Sequence, residues 1–527
     1  MELNWNCPYP SNRSPVFARN IVATSQPLAT SAGIAALKAG GNAVDAAIAT
    51  AITLTVVEPN NNGLGSDAFA IVWDGANLHG LNASGRSPAG WQTERFNHYA
   101  SMPQSGWDSV TVPGAVSAWV GLSEKFGELP FEKLFEAAVH YASKGYQVGP
   151  KTGYFWRLAK KQYQDFEAFG DTFLPHGEAP SIGSKIRLPD HAASLQLIAA
   201  SRGEAFYHGE LAEAMVADST EHNGVLSMQD LANHECLWLD TIKQSLGDAE
   251  LHEIPPNGQG LMALIALGII DKLDIGQYAL DSADSAHLQI EATRIAYAEV
   301  ERHLADSEYM RVTPRQLLSE QYLSARAAEI GSAAADPSPS PLGASPDTVY
   351  LTTADESGMM VSMIQSNYMG FGSGIVIPGR GISMQNRGAG FTLEAGHPNQ
   401  VGPGKRPYHT IIPGFVMQRD QAALSFGVMG GHMQAQGHLQ MMVRTFVYGQ
   451  NPQAASDAPR WRLNEDGSVI VEQGFDTAVI EALQSRGHRI SADKPEYLFG
   501  GAQLIYRLDD GYCAGSDHRK EGLAIGF

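Results

Sequence analysis

Cysteine is scarce in this chain: Cys7, Cys236 and Cys513 are the only three in 527 residues. Their wide spacing and odd number make neither a disulfide framework nor a metal-binding cluster, so no metal and no cofactor is expected. Basic residues are in deficit, with 36 Lys and Arg against 56 Asp and Glu and a net charge of −20. That balance argues against nucleic acid and against an anionic membrane surface as partners, since each recruits a basic face. Long apolar runs are missing too. The most apolar window, 46–57, is too short to span a bilayer and carries several Thr. The stretch from Met1 to Pro8 has neither the basic nor the apolar region of a secretory leader. The expected location is cytoplasmic.

What is present suits a packed α/β enzyme. Hydrophobic residues make up 43% and charged residues 17%, the balance of a chain that buries a large core. Apolar residues at helical spacing predict a helix over 27–38, a Gly40-Gly41-Asn42 turn, and a second, mostly buried helix over 43–57. A Gly/Asn-rich loop leads to a predicted strand at 68–73, which the Asp74-Gly75 turn pairs with 78–82. From 115 to 330 the pattern reads as mainly helical, most clearly at 131–143 and 285–303. Strands are predicted at 349–355, 360–366 and 423–428, and a helix at 434–448. Helices enclosing two groups of strands imply an α+β fold, a four-layer αββα sandwich.

One junction stands out. Residues 331–347 hold Ser, Ala and four Pro without periodicity, the composition of a linker. Asp347-Thr348 ends this segment, and the run after it alternates like a strand. A Thr at that place is where a self-cleaving hydrolase would carry its nucleophile. Once the bond is cut, one residue holds a hydroxyl and a free α-amine base. Such chemistry also needs an oxyanion hole. The strand ending at Val428 runs into Met429-Gly430-Gly431, whose bare N–H groups are suitable donors, each worth roughly 2.7–4 kcal/mol.

These and further segments, in order, resemble a γ-glutamyltransferase-family proenzyme of the N-terminal nucleophile hydrolases. They include Gly40 to Ala47, Glu58-Pro59, Gly63-Leu64-Gly65, Arg86 ahead of Pro88, Val112-Pro113-Gly114 and Pro255-Pro256. In the second half they are Thr348 and its hairpin, Phe371 to Gly374, Pro403 to Pro407, Gly430-Gly431, Ala458-Pro459-Arg460 and Gly515-Ser516-Asp517. The resemblance implies cleavage between Asp347 and Thr348 into a large chain, 1–347, and a small catalytic chain, 348–527, which together form one sandwich. It assigns Thr348 as nucleophile and base, Ser366 as the hydroxyl that orients it, and Gly430 and Gly431 as the oxyanion hole. Arg86 corresponds to the arginine that binds the substrate carboxylate. A homodimer of the processed pair stays open.

The substrate cradle departs from the family pattern. A Ser-Ser pair is replaced by His409-Thr410, and the acceptors for a substrate ammonium by Tyr368, Arg387 and Gly390. An arginine without an acidic partner disfavours an α-amino group by about a kcal/mol or more. The expected substrate is a small amide bearing a carboxylate and no amino group, oxamate first and a glutaryl amide next. A γ-glutamyl substrate stays open if a loop acid such as Glu394 serves as acceptor, and so does an unprocessed, inactive carboxylate-binding relative. Gly370 to Gly374 lacks the strand–loop–helix setting of a dinucleotide loop. His432 and His438 lack metal-ligand spacing, no G-x-S-x-G elbow occurs, and His287 with Glu291 reads as a structural pair.

Overall fold

The strands Val349–Ala354 and Met360–Ser366 pair antiparallel, with Val349 opposite Gln365 and Ala354 opposite Met360. The computed structural model describes residues 5, 12–335, 348–492 and 494–527. This hairpin sits in the middle of a seven-stranded sheet. Ile21–Thr24 flanks it on one side and Asp67–Trp73 on the other, followed by Leu78–Asn82. A second seven-stranded antiparallel sheet is built around Gly414–Gln418, Gln421–Met429, Gly501–Leu508 and Gly511–Ser516.

Alternation along the hairpin decides how the layers stack. Tyr350, Met360 and Ile364 face the second sheet and pack with Phe415, Met429, Ile505 and Tyr512. Val349, Leu351, Val361 and Met363 face the opposite way, into a core built largely from helices. Polar side chains between the sheets are paired: Thr352 Oγ1 lies 2.5 Å from Ser425 Oγ, and Tyr350 Oη 2.7 Å from Ser362 Oγ. The helix Ala43–Val57 is buried along its whole length against the first sheet. Asn42 caps it, accepting from the N–H groups of Val44 and Asp45, and Asp355 from the hairpin turn accepts from Ala43 N at 2.6 Å. A carboxylate on orphan N–H groups at a helix start is the stabilising polarity.

On the far side, Gly260–Asp271, Ala283–His303 and Met433–Met442 cover the second sheet. The layers are αββα, as the sequence implies. Three local readings change. The helix expected over 131–143 is a 3₁₀ turn, Phe131–Phe135, followed by Glu136–Lys144. The one expected over 434–448 ends at Met442 and continues as a π turn, Val443–Val447. The stretch 115–330 also contains the strands Leu237–Leu239, Ile242–Leu246 and Ala249–Glu253, short members at or near sheet edges. No helix among the described residues is long and apolar enough to cross a membrane.

Candidate active site

Thr348 immediately precedes the central strand Val349–Ala354 and is buried to 1% exposure. Its Oγ1 lies 3.1 Å from Ser366 Oγ, which ends the partner strand, and Gln434 Nε2 approaches the same oxygen at 3.5 Å. Ser366 Oγ also accepts from Tyr368 N at 2.8 Å. Asp347, the other half of the expected cleavage junction, lies outside the described residues.

Tyr368 adopts φ +79°, a left-handed backbone that a buried aromatic holds only under constraint. The twist puts its ring under the Arg387 guanidinium, 4.5 Å from the ring centre. Arg387 starts the short turn Arg387–Gly390 and is fully buried. Nη1 donates to Thr410 Oγ1 at 2.8 Å, whereas Nε and Nη2 have no hydrogen-bond partner among the described residues. Burial pulls this guanidinium down to about 10, with the Asp67 charge opposing, so it stays cationic at neutral pH.

Gln259 closes the ring of contacts. Its Nε2 donates to the carbonyls of Thr410 and Gly431, and its Oε1 accepts from Tyr408 Oη at 2.9 Å. Gly430 and Gly431 have φ of +119° and +58°. Their carbonyls accept from Met433 N and Gln434 N, turning both peptides, and neither Gly N–H donates to another described residue. A connected circuit thus runs from Thr348 through Ser366, Tyr368, Arg387, Thr410, Gln259 and Gly431 to Gln434 and back. Gln259 and Gln434 are absent from the sequence-derived site. Gln259 follows Pro255-Pro256-Asn257-Gly258 and Gln434 stands three residues after Gly431, so proximity to those segments was the available signal.

Two predicted site residues are engaged elsewhere. His409 lies beside Thr410, but its Nε2 bonds to Asp67 Oδ2 at 3.1 Å and its Nδ1 accepts from Ile411 N. Burial and the Arg387 charge hold this imidazole well below its ordinary range, so it is neutral and donates a hydrogen bond rather than forming an ion pair. Asp67 also accepts from the N–H groups of Gly85 and Gly114, and burial pushes its carboxyl up to about 7 against the Arg387 charge. Arg86 is part-exposed. Its guanidinium binds Asp306 at 3.1 Å, Glu308 at 3.2 Å and the Gly404 carbonyl at 2.8 Å, with no bond to the circuit around Thr348. Glu394 is exposed.

The motif residues near the C-terminus hold the scaffold. Arg460 meets Asp517 at 2.6 Å, and Arg519 bridges Asp517 and Glu472. His287, Glu291 and His488 converge and could in principle hold a metal. His287 bonds His488 Nε2 and the Gly331 carbonyl, and Glu291 bonds Arg294 and Ala335 N, while His488 Nδ1 has no hydrogen-bond partner among the described residues.

Two antiparallel sheets between helical layers form the sandwich of the N-terminal nucleophile hydrolases, and a buried hydroxyl, that of Thr348, stands just before a central strand. A sequence profile of the gamma-glutamyltranspeptidase family matches residues 29–527, and the chain belongs to that family. It is 33% identical over 515 residues to the oxamate amidohydrolase proenzyme of Klebsiella pneumoniae, covering 95% of this chain and 97% of that one. It is 30% identical over 526 residues to the glutathione hydrolase-like YwrD proenzyme of Bacillus subtilis, covering 98% and 100%. The crystal structure of a cephalosporin acylase from Bacillus halodurans superposes with a TM-score of 0.96 at 45% identity, covering 100% of this chain and 99% of that one. The protein is an amidohydrolase of this class.

Proposed function

We propose that the chain cuts itself before Thr348 and then hydrolyses a small amide whose acyl half carries a carboxylate and no amino group. Maturation begins with attack of Thr348 Oγ on the Asp347 carbonyl. The peptide C–N bond breaks, an ester forms, and water hydrolyses it to chains 1–347 and 348–527. The freed α-amine has an ordinary pKa of roughly 7.7–8 and serves as base near neutral pH. In turnover it takes the Thr348 hydroxyl proton and passes it to the departing amine. The acyl group stays on Thr348 Oγ until water releases it as the acid. Ser366 and Gln434 fix the hydroxyl, and the N–H groups of Gly430 and Gly431 take the oxyanion.

The observation that carries the substrate reading is the state of Arg387. A buried cation with Nε and Nη2 unpartnered among the described residues presents the two-donor fork that fits a carboxylate. Thr410 Oγ1 is alongside. The Thr348 circuit contains no acidic side chain, and neighbouring Asp67 is already committed to His409, Gly85 and Gly114. In this reading Arg387 with Thr410 receives the carboxylate, and Arg86 stays with Asp306. Oxamate is the smallest such amide and glutaryl amides are longer ones.

The test is a panel of oxamate, glutaryl-p-nitroanilide and γ-glutamyl-p-nitroanilide. The reading expects kcat/KM for one or both amino-free substrates to exceed that for the γ-glutamyl compound by about tenfold or more. Preferred γ-glutamyl turnover with transfer to Gly-Gly would overturn it.

A further inference from the structure

His287 and Glu291 stand four residues apart on the helix Ala283–His303, so both project from one face. His488, from the turn after the helix Thr477–Ser485, closes on them. The three are buried, at 1%, 3% and 4% exposure, and a ligand atom from each lies within 4.8 Å of the other two. They also clamp the backbone at 331–335. His287 Nε2 donates to the Gly331 carbonyl at 2.9 Å, and Glu291 Oε2 accepts from Ala335 N at 3.0 Å. Ala334 N adds a bond to the carbonyl of Arg486 at 2.8 Å, two residues before His488.

The hydrogens available do not satisfy this cluster. A carbonyl only accepts, so His287 Nε2 carries its hydrogen and Nδ1 has a bare lone pair. His488 Nε2, 2.8 Å from that lone pair, supplies the hydrogen between the rings. His488 Nδ1 is then bare as well. It has no hydrogen-bond partner among the described residues and faces Glu291 Oε1 at 3.8 Å. Two lone pairs, one of them on a carboxylate, thus meet in a buried place, which costs free energy unless a cation joins them. Arg294 Nε donates to the same carboxylate oxygen at 3.2 Å but leaves His488 Nδ1 unpaired.

We propose that His287, Glu291 and His488 form a binding site for a divalent transition-metal ion of the Zn2+ class. Two imidazoles and one carboxylate suit Zn2+ or Co2+ rather than Mg2+ or Ca2+, which take oxygen donors. Tetrahedral bonds of about 2.0–2.1 Å place donor atoms about 3.4 Å apart. His287 Nδ1 to His488 Nε2 is 2.8 Å and His488 Nδ1 to Glu291 Oε1 is 3.8 Å, so small side-chain rotations complete the set. His488 stays neutral, its one hydrogen on the nitrogen that the ion does not take. The surrounding bonds are those that orient metal ligands: His287 offers its other N–H to a carbonyl, and Arg294 holds the carboxylate. The ion fastens the backbone at 331–335 to the turn at His488. On the reading that the chain is cut before Thr348, it joins the large chain to the small one.

The test is calorimetric titration of Zn2+ into purified protein first freed of metal with a chelator. One ion per molecule is expected to bind with a Kd of about 1 µM or tighter. Zn2+ at about 100 times that Kd should raise the thermal midpoint by about 2 °C or more. Co2+ should take the same site and give visible ligand-field absorption that Zn2+ abolishes and Mg2+ or Ca2+ does not. His488→Gln should weaken Zn2+ binding about 100-fold or more. The Co2+ spectrum of the wild type decides the matter even if that variant fails to fold. Thr348→Ala keeps all three donors and should bind Zn2+ as the wild type does, which separates this test from that of self-cleavage. Full affinity in His488→Gln, or displacement of Co2+ by Mg2+ or Ca2+, overturns the site. So does the absence of binding up to about 100 µM Zn2+, which would leave a second proton on His488 as the occupant.

Discussion

Arg387 lies over the ring of Tyr368, 4.5 Å from its centre, and the tyrosine holds a left-handed backbone to keep it there. A cation on an aromatic face is stabilised by roughly 0.5–2 kcal/mol, which offsets part of the cost of burying the guanidinium. The Tyr368 N–H is on Ser366, and Arg387 Nε and Nη2 have no hydrogen-bond partner among the described residues.

Arg387→Gln removes the fork and keeps a polar side chain. Catalytic efficiency toward a carboxylate-bearing amide is expected to fall about 100-fold, the scale of a buried charge-assisted pair, mostly through KM. Arg387→Lys should recover a small part, because an ammonium cannot make the two-pronged contact. Arg86→Ala should cost less than Arg387→Gln. Steady-state kinetics on the three variants check the order, and the reverse order would return the carboxylate to Arg86.

Ser366→Ala leaves Thr348 Oγ1 without its 3.1 Å neighbour and Tyr368 N without an acceptor. Self-cleavage and turnover should both slow by about 10- to 100-fold. Ser366→Thr, which restores the hydroxyl, should recover most of the rate. A time course of fragment appearance on denaturing gels, beside kcat, measures both steps. Slowing of turnover alone would confine Ser366 to the mature enzyme.

Gly430→Ala tests the oxyanion turn. The position has φ +119°, and an added Cβ would sit 3.0 Å from Gly500 Cα, so the peptide must rotate. Loss of one aligned donor should lower kcat about 100-fold or more with KM little changed. An unaltered kcat in a folded variant would remove Gly430 from the chemistry.

Asp67 should make stability depend on pH. Unfolded, its carboxyl titrates near 3.8; folded, burial raises it to about 7. The folded protein therefore holds the proton more tightly. The stability this adds is fully present below the unfolded value and is lost as pH rises through about 7. Against Asp67→Asn, the wild type should lose roughly 2–4 kcal/mol between acid and neutral pH. Urea midpoints of both proteins at pH 5 and pH 8 measure the difference, and parallel behaviour would mean that Asp67 stays ionised throughout.

Much of this architecture is legible in the sequence, for physical reasons. The hairpin at Thr348 shows itself because strict alternation and a Glu356-Ser357-Gly358 turn leave few other structures open to those residues. Ala43–Val57 is plain because Asn42 and Asp45 write its capping box. Ile242–Leu246 and Ala249–Glu253 are harder: they are short, and only pairing with distant strands makes them strands. The site divides the same way. Thr348, Ser366, Gly430 and Gly431 stand at strand ends and turns that local pattern marks. Gln259 and Gln434 join them through contacts spanning more than eighty residues, which no local pattern encodes. Arg86 and Arg387 look alike in sequence. What separates them is that Asp306 and Glu308 fold against one and no acid among the described residues bonds the other.

The most direct test of the central claim is intact-mass spectrometry of the purified protein, alone and quenched during turnover of glutaryl-p-nitroanilide. The account predicts two polypeptides, 1–347 and 348–527, with a glutaryl adduct on the smaller that maps to Thr348, and one uncut chain for Thr348→Ala. A wild-type chain that stays whole on long incubation, or an adduct on any other residue, would contradict it.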